Sequence, residues 1–553
     1  MNRMTLTTLA KHRLGSVLAG SALVLAACAS SPPSRPMGWN APEVVVAPSS
    51  FTGVHGLAVD KGGRLLAGSV LGNAIWEIDR TSGAAKVLVG GPEGQADDIA
   101  IGPNGEMAWT NYLMGMLRFR ENDASPMRVL AKDLPGLNSL DFDRKNGKLY
   151  ASQVFLGDAL WEIDVAGVKP PRLIAKDLGG FNGFEVGPDG MLYGPLWFKK
   201  SVVKIDPATG LVTVINNQFK TPAAANLDGK GNLWVVDTAT GELCKVELAS
   251  GKKTVMKQLK TALDNLAIAP DGTIYVSNMV DNSVEAYNPA TGDVKVLTRG
   301  ALAAPSGVKV SGGTLWVADV FSHRKVDLAS GKVSDVMRMH GEGVVMEYPF
   351  AVGLSDKLVT LASWFTGSVQ VLDRATNKTL AMTHGWKAPY DALPLADGSV
   401  LVAEIATGSI TRASGAEYAT RVVVTTGLAG PVQMTLGLDG ALYVTEAAGN
   451  LVKVNLADGS KTVVTKGLAL PEGVAATPWG TFIVAEAALG RLTEIDPATN
   501  QQRTVADKLP IGLSGGPGMP PPYVATGVDV GPDGTIYFSA NRNNAIYKVR
   551  PLR

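Results

Sequence analysis

The chain has 553 residues, 46% of them hydrophobic and only 18% charged, with 63 glycines and 32 prolines. That composition supports a packed core and excludes wholesale disorder. Lys plus Arg number 51 and Asp plus Glu 50, for a net charge of +1, so there is no electrostatic footprint for nucleic acid or an anionic membrane surface. The two cysteines make no CxxC, and neither HExxH nor a GxxxxGK[ST] loop occurs, which leaves zinc-ribbon, zincin and P-loop chemistry without support.

The N-terminus reads as a targeting segment. Arg3, Lys11 and Arg13 precede an apolar run over residues 14–27 that is too short for a stable spanning helix and ends in Leu25-Ala26-Ala27-Cys28. This tetrapeptide resembles a bacterial lipobox, which implies lipidation of Cys28 and a signal peptide over residues 1–27. Ala29 follows, with no Asp to hold the protein at the inner membrane. The expectation is an envelope protein anchored in the outer membrane, facing the periplasm, that meets the membrane only through its lipid. Residues 28–43, rich in Pro and Ser, read as a tether. Cys244 is left without a partner, in the apolar strand pattern Leu243-Cys244-Lys245-Val246, and is expected to be a buried structural thiol.

The rest of the chain is a repeat. A turn glycine recurs about every 41 residues, at Gly63, Gly105, Gly147, Gly190, Gly231, Gly272, Gly313, Gly398, Gly440 and Gly480, and again at Gly534; one degenerate copy lies around Asp356. Each unit has four apolar runs. Tight turns such as Pro188-Asp189-Gly190 and Asp206-Pro207-Ala208-Thr209-Gly210 separate them, with Asx side chains bonding forward and glycine taking positive φ. Four short antiparallel strands per repeat make a propeller blade. The fold class is therefore all-β, with twelve four-stranded blades. Because propellers ordinarily hold four to eight blades, the reading is tandem six-bladed β-propellers, the first over residues 44–299 and the second over 300–553. The last unit has three strands, and Val44-Val45-Val46 is a spare fourth. One arrangement lets residues 44–46 close the blade beginning at Asp264 and residues 294–297 close the blade ending at Val549. The rival lets residues 44–46 close the last blade directly.

The runs Phe181-Asn182-Gly183-Phe184 and Gly187-Pro188-Asp189-Gly190 resemble blades of the gluconolactonase/regucalcin-like family. The short Gly-Asn-Leu-Trp and Asp-Gly-x-Leu-Tyr runs are similar to NHL repeats and to virginiamycin B lyase. Such motifs mark architecture strongly and chemistry weakly.

In a blade, the start of the first strand and the end of the second share one mouth. For the first ring this pairs His55/Ser69, Asp97/Asn111, Asn138/Gln153, Asn182/Leu196, Ala223/Asp237 and Asp264/Asn278. Convergent carboxylate and amide oxygens suit a hard cation, calcium or another divalent ion. The resemblance implies a metal held by Asp97, Asn138, Asn182 and Asp264, and lactone or ester hydrolysis with Asp97 or Asp264 activating water. His55 stands where the family's Glu is expected, and Ala223 replaces an acid. Capping of turn amides is the other role open to these Asp and Asn residues.

In the second ring the pairs are Ser306/Asp319, Phe350/Trp364, Tyr390/Glu404, Val432/Glu446, Glu472/Glu486 and Thr526/Ala540. Close carboxylates such as Glu472 and Glu486 suit acid/base work or a cation. Glu472/Glu486 has the spacing of the lyase's catalytic His and Glu without the His, and His55/Ser69 has the His without the Glu, so that mechanism does not transfer. Two enlarged connections, residues 337–349 with His340 and residues 509–524, are lid candidates. His323, His340 and His384 are expected at the surface or in loops, and Trp234 and Trp316 in the core. The alternative to an enzyme is a non-enzymatic propeller that binds a small-molecule ligand or an envelope protein.

Overall fold

The structure is a computed structural model that describes residues 33–341 and 343–552; the signal peptide, Cys28 and the start of the tether lie outside the described residues. Among the described residues, twelve four-stranded antiparallel sheets account for most of the chain, with one two-stranded ribbon beside them. Within eleven of these sheets the strands follow one another in sequence, from an innermost first strand to an outermost fourth. Alternation explains the burial. Second strands such as Leu65–Ser69 and Phe482–Glu486 are buried along their whole length, being covered by blades on both faces. Fourth strands such as Thr420–Thr425 are largely exposed.

Two rings close. The first strands of blades 1 to 6 pack side by side in order, and Leu263–Ile268 of blade 6 returns to Val54–Val59 of blade 1. Blades 7 to 12 form the second circle, in which Val528–Val530 of blade 12 meets Pro305–Ser311 of blade 7. Residues 300–304 carry the chain from one ring to the other.

The exchanged latches expected above do not occur. Glu43–Val46 pairs with Ala545–Val549 and completes the last blade, with Val44 opposite Tyr547 and Val46 opposite Ile546. Val294–Arg299 is the fourth strand of its own blade, paired with Ser283–Tyr287. The rival, nested arrangement is the one the chain adopts. It enters through the last strand of the second ring, builds all of the first ring, and returns to complete the second. The physical reason is local. Blade 6 already has its four strands, whereas blade 12 has only three from its own stretch of chain.

The tether also differs from expectation where it is described. Gly38–Trp39 pairs with Pro551–Leu552, Arg35 Nε donates to Glu494 at 3.0 Å, and the rings of Trp39 and Trp479 lie 5.9 Å apart. The segment is thus strapped to the second ring. Cys244 is a free, fully buried thiol, as read from the sequence, and burial pushes it up to about 12. Trp234 and Trp316 are in the core. His384 is exposed beside Glu347, at 2.9 Å. His323, expected at the surface, is instead fully buried and stacked on Trp316, and burial lowers it to about 4.

Candidate functional site: a cavity between the two rings

The first strands of the first ring share a device that aims side chains at the axis. Their register against the second strand breaks after the first pair: between Val54 and Leu57, Ala96 and Ile99, Leu137 and Leu140, and Leu263 and Leu266. A bulge re-aims the residues it contains, and those residues are His55, Asp97-Asp98, Asn138-Ser139 and Asp264-Asn265. Two consecutive side chains can therefore face the channel. The first lies at the mouth and the second deeper, where Asn265 Nδ2 donates to Asp98 Oδ1 at 3.1 Å.

At the mouth, His55 Nδ1 lies 3.1 Å from Asp264 Oδ2 and 3.3 Å from Asp97 Oδ1. One ligand atom from each of the three residues falls within 4.8 Å of the others, the only such group of metal-capable side chains among the described residues. Asn138 Nδ2 donates to Asp97 Oδ2, which fixes that carboxylate and leaves its other oxygen toward the histidine. Asn182 is buried one blade further on, where Ser139 Oγ donates to its Oδ1 at 3.1 Å. Ala223 lies in the apolar core, so blade 5 brings no ligand.

The electrostatics follow from burial. Desolvation lowers the His55 imidazole, but the neighbouring Asp264 and Asp97 outweigh it and leave the group raised. Burial raises Asp97. A proton on His55 Nδ1 thus stands between two carboxylates, in the place a cation would take.

The second ring faces this mouth. Its turn residue Phe321 meets His55 edge-on at 5.6 Å, and His340, from the loop over residues 337–349, meets Trp197 of blade 4 at 5.5 Å. The loop over residues 509–524 reaches the first ring as well, with Asn73 Nδ2 donating to Ser514 O at 3.0 Å. Between the rings lies a cavity floored by His55, Asp97, Asn138, Asn182 and Asp264. Burial lowers His340 in its wall to about 4, so at neutral pH the ring is an uncharged imidazole. Burial and nearby carboxylates raise the Tyr348 phenol, which stays protonated. The sequence had marked His340 and Tyr348 only as part of a lid candidate, and nothing in it marked Phe321 or Phe365. Their place in the site depends on how one ring sits on the other, which no motif encodes.

The second ring's own mouth is filled by Phe350, Trp364, Tyr390 and Tyr523, with Phe350 and Trp364 at 5.0 Å and Trp364 stacked on Tyr390 at 6.0 Å. Neither Glu472 nor Glu486 reaches the cavity between the rings. Glu486 accepts from the amide of Ala469 at 2.9 Å, from Arg491 at 2.6 Å and from Thr493. Glu404 and Glu446 likewise take the amides of Lys387 and Ala429, both at 2.8 Å. In every case the acid at the end of a second strand ties down the segment leading into its own first strand. Asn111, Gln153 and Asn278 perform the same task in the first ring by donating to carbonyls. Glu472 is a first-strand residue; it accepts from Thr526 N at 2.6 Å and is 1% exposed.

No family model matches the sequence, and no curated protein matches it. Among solved structures the chain is similar to virginiamycin B lyase from Staphylococcus aureus, at 15% identity over 60% of this chain and 94% of that one, TM-score 0.29. It is similar to a streptogramin B lyase at 15% identity over 60% and 93%, TM-score 0.26. The extracellular domain of a one-component system from B. thetaiotaomicron matches at 11% identity over 91% and 76%, TM-score 0.32.

Proposed function

We propose that the protein is a divalent-metal-dependent hydrolase of a small lactone or ester, working in the cavity between its two rings and held in a bacterial envelope by lipid on Cys28. The observation that carries this reading is the convergence of His55, Asp97 and Asp264 within 4.8 Å. Two atoms that each ligate one ion at about 2.1 Å sit roughly 3.0 to 3.4 Å apart; the separations of 3.1 and 3.3 Å around His55 Nδ1 fall in that interval. One imidazole and two carboxylates suit a zinc- or manganese-like ion better than calcium, which prefers oxygen alone.

A cation there would supply positive charge to polarise a carbonyl. The chain's own residues do the rest. Asn138 orients Asp97, and the aromatic roof covers part of the floor and strengthens the charges beneath it. The phenol of Tyr348, kept protonated, and the neutral imidazole of His340 are the polar groups that the second ring adds to the cavity wall; the phenol can donate to a substrate oxygen, and the imidazole can accept or donate a proton. A second reading, binding without turnover, draws on the predominance of aromatic side chains around so few polar ones.

Elemental analysis of the full chain purified in detergent, before and after chelation, tests the reading. Close to one divalent ion per chain, lost in the Asp97→Ala/Asp264→Ala double variant together with esterase activity, is the expected result. Metal-free, folded protein would overturn it. No helix among the described residues is long and apolar enough to cross a membrane; metabolic labelling with a fatty acid, compared with Cys28→Ser, tests the anchor.

A further inference from the structure

We propose that the molecule held between the rings is an ester or lactone with an aryl body, not a polyhydroxylated sugar lactone, and that the second ring sets this preference. The inference rests on the hydrolase reading above for the reacting group and on the opposite wall for the rest of the molecule.

The carboxylates and amides of the cavity lie on one side, and the second ring adds only the Tyr348 phenol and the His340 imidazole. His55, Asp97, Asn138 and Asp264 form the floor, all from the first ring. What faces them from the second ring is a continuous aromatic surface. Phe321 and Tyr348 are 6.0 Å apart, Tyr348 and Phe365 5.4 Å, and Phe365 and Trp364 6.0 Å, at interplanar angles of 71°, 87° and 82°. These are edge-to-face arrangements, which leave ring faces available to a further ring. The same character continues to the outside at blades 3 and 4. There Phe155, 47% exposed, meets both Trp197 at 5.3 Å and Phe198, itself 56% exposed, at 5.6 Å.

A sugar lactone would bury several hydroxyls against this wall with few partners, and a buried hydroxyl without a partner opposes binding. An aryl group loses nothing there and gains contact with the ring surfaces of Tyr348 and Phe365, which already pack edge-to-face. Each half of the recognition comes from a different ring. That gives the second ring a purpose its own plugged mouth does not.

The probes are γ-phenyl-γ-butyrolactone and glucono-δ-lactone, titrated calorimetrically into the full chain in detergent with zinc present, alongside metal content. The variants are Phe365→Ser and the gentler Phe365→Leu, at a half-buried turn position. Expected is at least tenfold tighter binding of the phenyl lactone than of the sugar lactone. Phe365→Ser should weaken the phenyl lactone about tenfold, with bound metal and thermal melting unchanged, and Phe365→Leu should fall between. Equal or tighter binding of the sugar lactone, or indifference of the phenyl lactone to both substitutions, overturns the proposal. If the protein proves metal-free yet holds the phenyl lactone in a Phe365-dependent way, the aryl preference stands and the hydrolase reading falls. If metal is bound and the phenyl lactone is not, the hydrolase reading stands and the aryl preference falls.

Discussion

His55 of the first ring and Phe321 of the second meet edge-on, with ring centroids 5.6 Å apart and planes at 66°. Phe321 is 3% exposed and packs so closely that a Cβ on Gly53 would lie 2.4 Å from its ring. The histidine between Asp97 and Asp264 is therefore positioned by both propellers. Burial is the leading cause of the rise at Asp97. The two rings line one cavity together.

The nested chain path makes the N-terminal strand a determinant of the second ring. Val46 is 3% exposed, pairs with Ile546 and packs with Leu302 and Val308 of the neighbouring blade. Val46→Ala is expected to cost about 2 kcal/mol, in the range for removing buried methyl groups. Hydrogen exchange should locate the loss, with faster exchange over residues 305–311 and 528–549 and none over 263–299. Acceleration in 263–299 would mean that the strand latches the first ring after all.

Glu486 is expected to behave as a structural carboxylate. Its oxygens hold the amide of Ala469 and the side chains of Arg491 and Thr493. Glu486→Ala strands a buried amide and should cost about 2 to 3 kcal/mol in urea denaturation, while the bound metal per chain stays at the wild-type value. Asp97→Ala should show the converse, a loss of metal with a smaller loss of stability. A catalytic Glu486 would lose activity in Glu486→Gln without loss of stability.

The blades were legible because each repeat carries its own turn chemistry. Asp206 accepts from the Ala208 amide and Gly210 takes φ 74°, which is what Asp-Pro-Ala-Thr-Gly implies. Asp97 and Asp264 were legible as channel residues because their offset from the turn glycine repeats from blade to blade. The task of the second-strand acids was not legible. Glu486 and Glu472 pair at one mouth in the sequence reading, and only the bond from Ala469 N shows that Glu486 turns back onto its own blade. The latch was misjudged because sequence counts strands without saying which edge is open. The aromatic roof was invisible for a further reason: Phe321, Tyr348 and Phe365 lie in turns and loops of blades whose repeat pattern is silent about the other ring.

Glu472 gives the second ring a pH dependence of definite sign. Burial raises its carboxyl from 4.5 to about 7, so the folded protein keeps this proton where the unfolded chain has released it. The native state then binds more protons between those values, and stability falls as pH rises through the window. At about 1.4 kcal/mol per unit, the loss from this group approaches about 3 kcal/mol above pH 7. Glu472→Gln keeps an acceptor for Thr526 N and carries no charge at any pH. Urea denaturation should show the variant equal to wild type near pH 4 and more stable by up to that amount near pH 8. A wild-type advantage near pH 8 would mean that the carboxylate is stabilised in its charged form.

Gly56 adjoins His55 and controls how closely blade 1 approaches blade 2. A Cβ there would lie 2.3 Å from Asp97 O and 2.6 Å from Asp98 Cα, contacts made by backbone and therefore unable to swing aside. Gly56→Ala must push the two first strands apart, and the displaced residues are the ones that bring Asp97 to His55. Overpacking of this kind costs about 1 to 3 kcal/mol. The same displacement opens the 3.3 Å separation between His55 Nδ1 and Asp97 Oδ1. Zinc affinity, measured by competition with a chromophoric chelator, is expected to drop about tenfold or more in Gly56→Ala. The control is Gly527→Ala, where a Cβ would meet Ser306 O and Val308 N at 2.5 Å in the second ring: it should lose comparable stability and keep its zinc affinity. Equal loss of zinc in both variants would reduce the effect to general destabilisation, and the close approach of blades 1 and 2 would have no special bearing on the site.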